Sequence, residues 1–135
     1  MTSEMTKPLY SISVIDYPLI RIDYMDDAVI SLEECHKLTN EVYARYGQMK
    51  IGVIHVAGTS TTIDENVREY IAERSRNGEK FAEAFVIKNL NQRILANFYL
   101  RIFKPGCPTE IFSTEIDAIR WMKSYLPNGI VHSLN

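Results

Sequence analysis

The chain has 135 residues, 46% of them apolar and 24% charged, which suits one globular domain and excludes wholesale disorder. Fifteen Lys and Arg against seventeen Asp and Glu leave a formal charge of −2 with the signs interspersed, so nothing favours nucleic acid as a partner. Apolar runs break well short of the ~18 residues that a membrane span needs, and the polar start lacks a signal peptide's apolar core, so no transmembrane segment and a cytoplasmic location are expected.

After a short flexible start, Met1 to Pro8, the segments Ser11–Ile15 and Leu19–Tyr24 alternate apolar and polar residues around Asp16-Tyr17-Pro18. That pattern predicts a half-buried β-hairpin. Ser31 and Glu34 form a capping box, and Leu32, Cys35, Leu38, Thr39, Val42 and Tyr46 recur at helical spacing until Gly47, which predicts a first helix. Ile51–Ala57 is apolar on both faces, as a central strand covered on both sides would be. Thr62 with Glu65 reads as a second capping box, opening a helix with Ile63, Val67, Tyr70 and Ile71 on its apolar stripe and Gly78 beyond its end.

Phe81–Ile87 reads as a further strand and Leu90–Phe103 as a third helix, followed by a forced turn at Lys104-Pro105-Gly106-Cys107-Pro108. A short strand, Thr109–Phe112, leads into a fourth helix capped by Ser113 or Thr114, carrying Ile116, Ile119, Trp121, Met122, Tyr125 and Leu126, and ended by Pro127-Asn128-Gly129. The order β-β-α-β-α-β-α-β-α predicts an α/β domain with a mixed, mainly parallel five-stranded sheet and right-handed crossovers.

The residues that usually carry chemistry are scattered. His36, His55 and His132 stand on a helix, in the central strand and in the tail, with no metal-ligand spacing, so no metal site is expected. Cys35 and Cys107 do not make a CxxC pair and read as reduced structural thiols. Cys35 and His36 are adjacent, but neighbours on a helix diverge by about 100 degrees and cannot form a thiol–imidazole contact. No Gly-rich nucleotide loop or GxSxG elbow occurs, and no cofactor is expected. His55, in an apolar strand, is either a hydrogen-bonded core histidine or a group facing a ligand pocket.

The third helix departs from a plain surface helix. Leu90, Ile94, Phe98 and Ile102 form one apolar face, and Leu95, Tyr99 and Phe103 form a second. Burying one against the sheet leaves the other to be covered by the fourth helix with Trp121, by a second subunit, or by an apolar ligand. Arg93, Arg101 and Lys104 would rim such a surface or bind an anionic head group.

Element order, together with three motifs, resembles the SpoIIAA-like fold. The motifs are Gln92-Arg93-x-Leu95-Ala96-x-Phe98, then Lys104-Pro105-x-x-Pro108-Thr109, then Phe112-x-Thr114-Glu115 stepping into a helix that bears Trp121. This fold is shared by the STAS domains of anti-sigma factor antagonists and is loosely allied with CRAL-TRIO lipid-binding domains; the likeness is greatest to small bacterial members of the group without an established activity. In STAS antagonists a phosphoacceptor serine follows a central strand. The resemblance therefore implies Thr59, Ser60, Thr61 and Thr62 as a phosphoacceptor or partner loop, although the Asp before the Ser and the Gly after it are missing; the plainer reading is a polar loop ending in the Thr62 cap.

The sequence thus favours a non-enzymatic regulatory or protein-interaction domain, with a homodimer as one form of it, acting through Thr59–Thr62 and the adjoining helix. The alternative is a carrier of a small apolar or lipid-like ligand in a pocket between the sheet and the third and fourth helices, near His55, Tyr99 or Trp121. Such a carrier requires a cavity of roughly 300 Å³ or more. An enzyme would require a cleft gathering His55 with carboxylates of perturbed titration.

Overall fold

A computed structural model describes residues 8–126; residues 1–7, where a flexible start is expected, the Pro127-Asn128-Gly129 stop and His132 lie outside the described residues. Alternation in the first segment produces the expected hairpin, β1 (Tyr10–Asp16) antiparallel to β2 (Leu19–Tyr24). The capping box at Ser31 works as predicted: its Oγ accepts from the Glu34 N–H at 3.2 Å, and α1 (Leu32–Tyr46) runs to Gly47. Strand β4 (Ile51–Val56) is buried along its whole length. It is followed by α2 (Glu65–Arg74), a short 3-10 turn closed by Gly78 at φ 77°, and β6 (Lys80–Val86). Helix α3 (Leu90–Phe103), β7 (Thr109–Phe112) and α4 (Glu115–Lys123), capped by Thr114, complete the order.

Two short strands escaped the sequence reading. Val29–Ile30 (β3) and Thr62–Ile63 (β5) pair in parallel as a separate two-stranded sheet. This corrects the second capping box. Thr62 pairs in β5, its N–H donating to Ala28 O at 2.9 Å, and α2 begins only at Glu65, so the N-cap is Asp64, which makes no side-chain capping bond.

The main sheet has the order β1-β2-β4-β6-β7, and β2, β4, β6 and β7 are parallel neighbours in chain order. Right-handed crossovers that step the same way across a sheet place their helices on one face. Accordingly Ile20, Ile22, Ile51 and Val53 pack with Leu38 and Val42 of α1, and Cys35 packs with Val67 of α2. The other face belongs to α4: Leu19, Ile54, Val56, Ala82, Ala84 and Val86 meet Ala118, Met122 and Leu126.

Since α3 rides on the first face and α4 on the second, α4 does not cover α3. Trp121 instead packs against Phe112 and Tyr125. Among the described residues α3 contributes none that is fully buried.

Candidate functional site

Side chains alternate along a strand, so His55 on β4 and Glu83 on β6 project to the same face, the one facing α1 and α2. Glu83 is 2% exposed. Its Oε1 accepts from Lys80 Nζ at 2.8 Å and its Oε2 lies 2.5 Å from His55 Nε2. On the other side of the imidazole, Nδ1 is 2.7 Å from the Tyr24 hydroxyl.

Electrostatics orders the protons in this chain of groups. Burial would by itself raise the pKa of Glu83, but Lys80 and the His55 hydrogen bond outweigh it and hold the carboxyl at about 2. Burial pushes the Tyr24 phenol well above its ordinary value. An ionised carboxylate only accepts, so His55 donates from Nε2 to Glu83, and Nδ1 pairs with the Tyr24 hydroxyl. The imidazole is also fixed in plane: Phe85 stacks on it at 4.4 Å and 6°, and Tyr24 at 5.9 Å and 14°.

Both ring nitrogens of His55 are therefore occupied, and Glu83 is a fixed counter-ion to Lys80 rather than an acid poised near neutrality. Among the described residues no group of three or more His, Cys, Asp or Glu is gathered to hold a metal ion. Burial pushes the Cys35 and Cys107 thiols up, which keeps both weakly nucleophilic.

The His55–Phe85 stack borders a cavity of about 180 Å³ at the carboxyl ends of β4 and β6, walled by Ile71 of α2 and by Leu95 and Ala96 of α3. In parallel sheets this end of the strands is where ligands gather.

On the outer side of α3, Leu90, Ile94, Phe98 and Ile102 are 61%, 59%, 54% and 52% exposed. These residues recur every fourth position and so form one continuous apolar stripe. Around it stand Lys88, Arg93, Arg101 and Lys104, with no Asp or Glu between Ile87 and Thr109. Among the described residues none of these four cations joins an ion pair.

Residues 14–126 match the family described as Domain of unknown function (DUF7793). The chain belongs to this family. No curated protein matches it. Among solved structures, this DUF7793 domain is similar to an uncharacterized protein of the DUF3478 family from Shewanella loihica PV-4, described as having a SpoIIAA-like fold; the TM-score is 0.60 at 11% identity, over 87% of this chain and 98% of that one. The fold of the DUF7793 domain is therefore SpoIIAA-like, as its motifs implied. No helix among its described residues is long and apolar enough to cross a membrane.

Within the DUF7793 domain the residues singled out in the sequence are spread over the fold. His55 lies at the buried network. Phe98 and Arg101 lie on the exposed side of α3, whereas Tyr99 turns toward α2, stacking on Phe103 at 5.8 Å beneath the Arg68 guanidinium. Arg93 is a local clasp, its Nη1 donating to Ile87 O and Lys88 O at 3.0 and 2.7 Å. Trp121 sits across the sheet, so no pocket unites it with His55 and Tyr99.

The loop Thr59–Thr62 is tied to the turn before β3. Thr59 N–H donates to Asp26 Oδ1 at 2.7 Å, Gly58 N–H to Thr61 Oγ1 at 2.9 Å, and Thr61 Oγ1 to Met25 O at 2.9 Å. Ser60 is exposed in a left-handed conformation at φ 59°. The N–H groups of Gly58 and Thr59 are thus already engaged, Asp26 adds negative charge beside the loop, and α2 begins only at Glu65.

Sequence reasoning missed Lys80 and Glu83. The signal was there: a single Glu interrupts an apolar strand whose chain-adjacent parallel neighbour carries a single His.

Proposed function

We propose that this domain is a non-enzymatic regulatory module of the cytoplasm, and that it docks another protein on the outer face of α3. One observation supports this most: the stripe Leu90, Ile94, Phe98 and Ile102 is more than half exposed at every position on a fourteen-residue helix that buries no residue fully. Exposed apolar stripes of this kind mark interaction surfaces.

Charge selects the partner. Lys88, Arg101 and Lys104 beside the stripe would face their own copies in an α3-to-α3 homodimer, and like charges across an interface are costly. A different protein, with an apolar groove rimmed by Asp and Glu, fits the stripe in both respects. The tethered loop Thr59–Thr62 supports the same preference for α3 over the strand-to-helix loop.

The double substitution Ile94→Glu with Phe98→Glu tests the proposal. Exposed positions tolerate substitution within about 0.5 kcal/mol, so the isolated variant should unfold at nearly the same denaturant concentration as the parent while losing its partner. A large loss of stability would mean that the stripe is part of the fold and would sink the docking reading.

The carrier of a lipid-like ligand has less support. The cavity of about 180 Å³ falls below the roughly 300 Å³ of pockets for drug-sized ligands, and it lies between the sheet and α2 and α3 instead of between α3 and α4.

A further inference from the structure

The cavity beside His55 is small and is lined by one cation that no carboxylate engages among the described residues. His55 and Phe85, stacked on each other at an interplanar angle of 6°, are among its lining residues, and its walls are apolar apart from a few groups. Arg68 and Gln92 are the polar side chains that reach it from the helices. The Arg68 guanidinium lies 4.2 Å from the centroid of the Tyr99 ring, and among the described residues it joins no ion pair. A guanidinium held over an aromatic ring by cation–π attraction still carries N–H donors, and those groups match a carboxylate two to one. Gln92 adds an amide N–H₂ to the same wall. Three residues of the motif spanning Gln92 to Phe98, namely Gln92, Leu95 and Ala96, converge here, while Phe98 of that motif points to solvent.

We infer that this cavity binds a small carboxylic acid with a planar apolar body, its carboxylate on Arg68 and Gln92 and its ring against the His55–Phe85 stack. Volume sets the size of the seated part: a cavity of roughly 150 Å³ accommodates a benzene ring, so about 180 Å³ has room for a single aryl ring. The role of the Tyr24–His55–Glu83–Lys80 network is then to hold this wall rigid; because both His55 nitrogens are engaged and the ring is stacked with Phe85 and Tyr24, the imidazole offers the ligand apolar contact and not a hydrogen bond. The site is on the inner side of α3 and does not depend on the docking stripe outside it.

The test titrates the full chain with benzoate and with benzyl alcohol, its neutral counterpart, following backbone amides by ¹H–¹⁵N NMR. Benzoate should bind saturably, shift the amides of Ala57, Ile63 and Ala96, and outcompete benzyl alcohol by about tenfold or more. Arg68→Met should lower benzoate affinity by about tenfold or more and leave benzyl alcohol within about twofold. Ala96→Phe should abolish binding of both; should that variant not fold, Ala57→Leu fills the cavity from the strand end. Equal affinities for acid and alcohol, binding that survives filling of the cavity, or no saturable benzoate binding at millimolar concentration would each overturn the inference. None of these variants alters Leu90, Ile94, Phe98 or Ile102, so failure of the ligand site and failure of the docking face are read separately.

Discussion

His55 and Glu83 stand on adjacent parallel strands, and their side chains join across the sheet through Nε2 and Oε2 at 2.5 Å. With Lys80 on the second carboxylate oxygen, a charge pair is buried where the rest of both strands is apolar. Removing one partner of such a pair leaves the other uncompensated, at a cost of about 3 to 5 kcal/mol. Lys80→Met should therefore lower unfolding free energy by that amount in denaturant titrations. Tyr24→Phe removes one neutral hydrogen bond and should cost only about 1 kcal/mol. Equal effects of the two substitutions would show that the Lys80–Glu83 charge pair matters no more to stability than the hydrogen bond at the other end of the network.

Acid should act on the same carboxylate. The Glu83 pKa is held at about 2 in the folded chain against an ordinary value of 4.5. A carboxyl depressed by folding contributes stability that is complete above the unfolded pKa and is lost as pH falls through the folded one. The interval of about 2.5 units corresponds to about 3 kcal/mol, so unfolding free energy measured from pH 5 down to pH 2 should fall with a component that Glu83→Gln removes. An unchanged slope in that variant would place the acid sensitivity elsewhere.

Much of the fold was legible because local signals and tertiary demands agree. Ser31 with Glu34, the doubly apolar Ile51–Val56 and the Leu90–Phe103 repeat each form the element that their pattern dictates. The parallel order follows from alternating strands and helices. Reading failed where a tertiary partner overrides a local motif: Thr62-x-x-Glu65 has the letters of a capping box, but the backbone of Ala28 claims Thr62 for a strand. It failed again for the cover of α3, since α4 follows β7, the last strand among the described residues, and is not bound by the crossover rule that sets the face of α1, α2 and α3, and no helical stripe encodes the face it takes. Of the site, His55 was visible as an ionisable residue in an apolar strand, whereas its partners needed the register of β4 against β6.

The loop that resembles a phosphoacceptor segment offers a contrast between two glycines. A Cβ on Gly58 would lie 2.6 Å from Tyr24 O and 2.8 Å from Asp26 N, both backbone atoms that hold the loop in place. On Gly52 it would meet Met122 Cε at 2.6 Å and Phe81 Cζ at 2.7 Å, the ends of side chains that can move. Gly58→Ala should accordingly cost more than Gly52→Ala, within the range of about 1 to 3 kcal/mol for overpacking, and should raise amide exchange across residues 25–28 and 58–62. The reverse order would mean that the two turns are not locked together.

The central claim, that the outer face of α3 receives a protein partner, is tested most directly by placing a photoreactive benzoylphenylalanine at Phe98 and irradiating in the host cells, with the same residue at Asp117 on α4 as control. A discrete adduct is expected from position 98 alone. Its crosslinked peptide should come from a different protein and carry apolar residues flanked by Asp and Glu, and its yield should fall when Lys88, Arg101 and Lys104 are reversed to Glu. An adduct with a second copy of the chain, an adduct with phospholipid, or equal labelling from positions 98 and 117 would contradict it.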